Sequence, residues 1–359
     1  MNKLIRPTYV APVEVRPAKG CLDHPYHPSV VYIEGGFGGH KWWMAQTPFP
    51  PFEDMKPYVD RYELPCVHYS DDGLKWYPIA NNPIDDLTAE EIAKAEYYSD
   101  PHLILREGCL ELYYRYTILQ NKSIIGNKTL LYRRTSRDGI HWSERELVAD
   151  LRKEPDVAMW GEQIISQAVL WKDGQYYCWY VDASSHIWPR GVRVVTSKDG
   201  VHWEKYQQCA FEGDDSLQPW HIDVQYYQGK YQMMMYDMNA NSLSWYQSDD
   251  VVHWAKKGNL LSPSHKCGDF YAEGLYRACS VWAEDKMRVY FSSQNDLRSA
   301  IGLLESKEGM HFEIVNGSTG YLYTMRTKLT FKTIAFGAWV KHTIQRVKKK
   351  AKRMMGMNV

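Results

Sequence analysis

The residues of this chain best suited to chemistry are acids, imidazoles and one guanidinium placed at the start of short apolar runs. His24 and His27 stand in HPYHPSVV, Asp100 and His102 in SDPHLI, Glu162 and Gln167 in EQIISQAV. Trp220, His221 and Asp223 stand in PWHIDVQ, and Tyr276 and Arg277 in EGLYRAC, while Glu63 in YELPC adds a further carboxylate. Carboxylates so placed can give or take a proton as general acid or base. Asp100, Asp223 and Glu162 are the catalytic candidates. His221 and Asp223, two residues apart, would share one face of a strand. The imidazoles and Arg277 would suit a phosphate or carboxylate, with Arg as the bidentate partner. His24, His27, Glu63, His102, Gln167, Trp220, His221, Tyr276 and Arg277 are therefore read as substrate-binding. Two histidines with an acid could also hold a divalent metal, but no HExxH or comparable ligand spacing supports one, and no cofactor is expected.

The elements that must position these residues are strands. Runs such as HKWWMA, CLELYYRYT, SQAVLWKDGQYYCWYV and RACSVWAEDKMRVYFSS are rich in Val, Ile, Tyr and Trp and lack a sustained 3.6-residue period. Behind them lies a repeat. SDDGLKW begins at Ser70, SRDGIHW at Ser136, SKDGVHW at Ser197, SDDVVHW at Ser248 and SKEGMHF at Ser306, at spacings of 51 to 66 residues. All fit S-x-(D/E)-G-x-x-(W/F), except that Val251 replaces the glycine in the fourth. The chemistry is that of a hairpin turn: the acid accepts backbone N–H groups, glycine takes a positive φ, and the aromatic packs back. Short strands repeating at one period predict an all-β, five-bladed β-propeller in which the inner strand of each blade lines a central channel. GGFGG at 35–39 reads as a hairpin, since it lacks the helix and Lys of a phosphate loop, and 84–97 as a short surface helix.

Composition agrees. Aromatic residues make up 14% of the chain, with 27 Tyr and 14 Trp, which suits strands and also the flat apolar faces of sugars. The seven cysteines form no CxxC pair, MNKLIRPTYVAPVEVRP has no apolar secretory core, and no run approaches the ~20 residues of a membrane span. The net charge of zero hides an acidic body and a tail from Ser318 with ten Lys and Arg and no acid, an arrangement that does not suit nucleic acid.

The ordered series HPSVV, KWWMA, ELPC, SDPHL, WHIDV and LYRA resembles a group of bacterial five-bladed propellers similar to the clan of arabinanases, arabinofuranosidases, invertases and levansucrases, over roughly residues 20–317. The resemblance implies acidic residues from successive inner strands as base or nucleophile, orienting residue and general acid. Asp100 matches the second-blade position. The chain departs from the clan at the first blade, where His27-Pro28 stands in place of a catalytic Asp before Pro.

The organisation expected is a propeller over 1–317 and a basic tail over 318–359. In that tail Val340, Ile344, Val347, Ala351 and Met354 draw one apolar face opposite a row of Lys and Arg. Such a helix reads as an attachment to anionic lipid at the inner face of the cytoplasmic membrane. Together these features lead to the expectation of a glycosyltransferase of surface-polysaccharide assembly. It would carry a furanosyl unit from a phosphate-activated donor to a carbohydrate or lipid-linked acceptor. The alternatives are an arabinofuranosidase-like glycoside hydrolase and a propeller that only binds glycan.

Overall fold

The computed structural model describes residues 10–49, 63–120, 123–184, 190–213, 216–265, 269–295 and 298–317. The basic tail expected over 318–359 lies outside the described residues. Five antiparallel sheets stand around one axis. Blade 1 runs Ser29–Phe37, His40–Gln46, Cys66–Ser70, Lys75–Pro78, and blade 2 runs Tyr97–Arg106, Cys109–Gln120, Ser123–Ser136, Glu146–Asp150. Blade 3 is Ile164–Lys172, Gln175–Asp182, Val192–Ser197, Gln207–Gln208. Blade 4 is Pro219–Tyr227, Lys230–Asp237, Ser242–Ser248, His253–Leu261, and blade 5 is Gly274–Ala283, Lys286–Asn295, Arg298–Ser306, Glu313–Ile314. The chain is a five-bladed β-propeller, as the repeat requires. Five apolar clusters fill the five spaces between neighbouring blades, so each blade buries both its faces only by having neighbours.

The five repeat motifs join the third strand of each blade to its fourth. In the first four, one acid holds the turn: Asp72, Asp138, Asp199 and Asp250 each accept two backbone N–H groups on Oδ1 at 2.7–2.8 Å. The same turns bind adjacent blades. Arg133 of blade 2 donates to Asp199 O at 2.7 Å, Trp179 of blade 3 to Val251 O at 2.9 Å, and Tyr290 of blade 5 to Gly73 O at 2.9 Å. The ring is closed by the N-terminal segment, where Glu14–Val15 pairs parallel with Lys75–Trp76 of blade 1. Next to it Val13 donates to Ile301 O of blade 5 at 2.9 Å. The GGFGG hairpin forms at Gly38-Gly39, and the surface helix at Ala89–Ala93, capped by Thr88 and Glu91. A second helix, Glu154–Trp160, is too short to show a helical period in the sequence.

Four of the five inner strands share one irregularity. They carry a break in register near their first residues, between Ser99 and His102, Ile165 and Ala168, Pro219 and His221, and Leu275 and Ala278. Asp100 and Ser166 have φ of +50° and +53° there, and His27, just before the first inner strand, has a φ of +51°. A bulge of this kind re-aims a side chain. Here it turns those of the first inner-strand residues toward the axis.

The turn glycines give a test of how the blades interlock. Gly139 has a φ of +79°, and a Cβ on it would overlap the buried ring of Trp43 in blade 1, whereas Gly174, at +74°, has nothing within 4 Å. Gly174→Ala should cost only the left-handed strain, ~1–2 kcal/mol. Gly139→Ala adds overpacking of about 1–3 kcal/mol to the same strain. Urea unfolding of the two variants should separate them by that second amount.

Candidate functional site

Where the five inner strands begin, the re-aimed side chains meet. Asp100 is fully buried, and Arg115 Nε donates to its Oδ2 at 2.7 Å while the N–H of Ser166 donates to the same oxygen at 3.0 Å. Arg115 is itself fixed by Ser99 Oγ at 2.7 Å and Ile164 O at 3.1 Å. The other carboxylate oxygen, Oδ1, has no hydrogen-bond partner among the described residues and faces His221 Nδ1 at 3.5 Å and Arg277 Nη1 at 3.7 Å. His27 is buried opposite, with its Nδ1 2.7 Å from Thr47 Oγ1 and its ring centroid 5.4 Å from that of His221. If Thr47 Oγ1 accepts, Nδ1 carries the proton and Nε2 the lone pair.

The electrostatics set the protonation of this group. Burial alone would raise the Asp100 carboxyl, but Arg115, with His221, His27 and Arg277, outweighs it and holds the carboxyl far below the usual range. Burial pushes His221 well below its ordinary value; the Asp100 charge opposes this, but His27, Arg277 and Arg115 add to the lowering. At neutral pH the pair is thus a carboxylate beside a neutral imidazole. Neither ring nitrogen of His221 has a hydrogen-bond partner among the described residues.

His27, Asp100 and His221 each offer one ligand atom, and these lie within 4.8 Å of one another. Nitrogen and carboxylate ligands about 2.1 Å from a tetrahedral cation would stand ~3.4 Å apart. The His221–Asp100 pair already has that separation, and a buried imidazole lacking partners is a donor set of the right chemistry. The residues therefore fit a divalent cation, a site that the linear spacing of 27, 100 and 221 could not reveal.

Around the cluster the remaining candidates fall at different depths. Tyr276 packs its ring 4.2 Å from that of His221 and 5.3 Å from that of Tyr26, and its hydroxyl accepts from Trp220 Nε1. Glu63 is buried near enough for its charge to add to the elevation of the Tyr26, Tyr97 and Tyr276 phenols, which burial dominates. Gln167 donates to Asp100 O and its own carbonyl accepts from Arg277 at 3.3 Å. His24 is half-buried at the edge, its carbonyl bound by the N–H of Phe49. Glu162 is exposed and precedes the strand, so the structure does not bring it to the cluster; Ser166, at the bulge, holds the third-blade position instead.

Asp223 and His102 also belong elsewhere. They lie one side-chain repeat further along their strands than His221 and Asp100, with His102 Nδ1 3.7 Å from Asp223 Oδ1, and both line a cavity at the opposite mouth of the channel. Arg277 stands between the layers, fully buried, with Nη2 3.3 Å from His102 Nδ1. A guanidinium so enclosed presents no fork to a phosphate. His102, whose Nε2 is 2.8 Å from Val169 O, is held by burial and then by Arg277 at a pKa of about 3. The expected phosphate-binding group of histidines and Arg277 does not form.

No family model matches the chain. A curated relative, an A type blood N-acetyl-α-D-galactosamine deacetylase from Flavonifractor plautii, is 25% identical over 329 residues, spanning 76% of this chain and 40% of its own length. A crystal structure of an N-acetylgalactosamine deacetylase from F. plautii, bound to blood group B trisaccharide, superposes with a TM-score of 0.67 at 21% identity, over 84% of this chain and 97% of that one. A family 43 β-xylosidase/α-arabinofuranosidase from a compost metagenome superposes with a TM-score of 0.60 at 12% identity, over 88% and 99%. What they share with this chain is the fold. The chain spans less than half the length of the curated relative. These comparisons overturn the transferase expectation: the neighbours are a deacetylase and glycosidases, enzymes that cleave their substrates, and they favour the hydrolase alternative.

The Arg115–Asp100 pair can be tested alone. Arg115→Met leaves a buried carboxylate uncompensated and should lower unfolding free energy by roughly 3–5 kcal/mol. Adding Asp100→Asn should recover a large part of that loss in urea denaturation. A double variant no more stable than Arg115→Met would mean that the charge is not what the guanidinium offsets.

Proposed function

We propose that this protein is a carbohydrate-active hydrolase whose His27, Asp100 and His221 hold a divalent cation, and that it removes the acetyl group from an N-acetylated sugar. The observation that carries the reading is the buried His–Asp–His cluster, set where the clan resemblance calls for a catalytic carboxylate. The relation to a deacetylase over most of the chain supports it.

A glycosidase needs a protonated carboxyl and a carboxylate on opposite sides of one bond. Asp223 has the elevated pKa of such an acid, raised by burial to about 6, but it lies beyond Arg277 from Asp100 and lines the other mouth. The chain's own residues suit amide hydrolysis better. A divalent cation supplies Lewis acidity, polarising a carbonyl and making water easier to deprotonate. Glu63, buried within electrostatic reach of Tyr26 and Tyr276, would take the proton of the attacking water and return it to the departing nitrogen, so that water and the amide become acetate and an amine. Tyr276, beside His27 and His221, supplies a flat wall for the sugar, and Tyr26, buried between Tyr276 and Phe49, backs that wall. Asp100, fixed by Arg115 and Ser166, stays ionised throughout.

A glycoside hydrolase acting through Glu63 and Asp100, both within electrostatic reach of Tyr97 and Tyr276, is the second reading. The two separate on product. Given p-nitrophenyl N-acetyl-α-D-galactosaminide and p-nitrophenyl α-L-arabinofuranoside, the protein should release acetate from the first and nitrophenol from neither. Glu63→Gln should lower kcat/KM for acetate release by ~10²–10⁴-fold, the usual contribution of a positioned general base. Nitrophenol without acetate would install the glycosidase reading in its place.

A further inference from the structure

The opposite end of the channel holds a cavity of about 400 Å³ to which all five inner strands contribute. That size is within the range of small-ligand pockets. Its walls are aromatic. Tyr227 and Trp282 stack with centroids 3.8 Å apart and planes 10° from parallel. Tyr226 is 39% exposed and has Lys172 Nζ 4.3 Å above its ring, and Trp171 stands on the neighbouring inner strand. The floor is polar and buried. Asp223 Oδ2 accepts the N–H of Ser280 at 3.0 Å, and Gln225 Nε2 donates to Ser280 Oγ at 3.0 Å. Buried Arg277 separates this floor from the His27–Asp100–His221 cluster, so ligands at the two mouths do not meet.

We infer that this cavity is a second sugar-binding site, taking the end of a neutral glycan. Flat apolar rings match the C–H faces of a pyranose, while Asp223 and Gln225 offer acceptors for its hydroxyls. The carboxylate at the floor disfavours a phosphate or uronic acid at that depth, and the work assigned to the site is binding. An enzyme that grips a polymer at one mouth raises the local concentration of chain ends at the other, the gain that any two-site binder obtains.

The inference stands apart from the proposed reaction and is tested with that reaction disabled. Full-length protein carrying His221→Ala is titrated with xylotriose, galactose and N-acetylgalactosamine, and binding is followed by saturation-transfer NMR. At least one sugar should still bind, and Tyr226→Ala or Trp171→Ala added to that background should weaken it about tenfold, the order of one lost stacking face. In the otherwise native chain Tyr226→Ala should leave acetate release from p-nitrophenyl N-acetyl-α-D-galactosaminide, too small to span both mouths, unchanged, and circular dichroism should report an intact fold. Loss of all sugar binding in His221→Ala alone, or binding indifferent to both aromatic substitutions, would overturn the second site without touching the deacetylase reading. Failure of acetate release in the native chain, with aromatic-dependent sugar binding intact, would do the reverse.

Discussion

Everything at the centre of this propeller depends on keeping one carboxylate ionised in a fully buried position. Asp100 is completely enclosed, and its charge persists because Arg115 and the N–H of Ser166 take one oxygen. The unpartnered oxygen then sets the chemistry. It faces His221 and Arg277 and, across the cluster, His27, a local excess of positive and neutral nitrogen that a carboxylate alone balances. An isolated ion in such a place would cost several kcal/mol, so the surrounding groups are as much part of the site as the ligands themselves.

The scaffold explains how so polar a centre is tolerated. Each inner strand is the edge of its blade, so a proline such as Pro28, Pro101 or Pro219 beside the bulge forfeits no ladder hydrogen bond. The left-handed residues at the inner-strand starts, His27, Asp100 and Ser166, carry strain of about 1–3 kcal/mol each, and it is held in place by the apolar clusters between blades and by the acid-capped turns at the rim. Repetition supplies the stability, and departures from repetition supply the function. The same position reads His, Asp, Ser, His and Arg around the ring.

The fold was legible in the sequence because it is written five times. Asp72, Asp138, Asp199 and Asp250 each perform the same turn, and the aromatic that follows marks the return strand. The site was legible in part, since His27, Asp100, His221, Tyr276 and Arg277 all stand at recognisable inner-strand starts. What could not be read was depth. Alternation places His221 and Asp223 on one face, but two strand residues advance ~6.6 Å, enough to carry Asp223 past Arg277 to the other mouth. Nor could spacing locate the bulge, which puts Ser166 rather than Glu162 at the axis. Arg115 escaped the sequence reading because it lies on a second strand, in an otherwise apolar run; a charged residue pointing inward there was the available signal. The transferase expectation rested on the basic tail and on a phosphate cluster that burial of Arg277 rules out.

The function proposed for this propeller turns on His27, Asp100 and His221 together binding a divalent cation. Metal content by plasma mass spectrometry, after equilibration with Mn²⁺ or Zn²⁺ and exhaustive dialysis, measures it without any assumption about substrate. A single equivalent should be retained by the native protein and none by His221→Ala with an unchanged circular dichroism spectrum. Equal retention by both proteins, or none by either, would contradict the cation site.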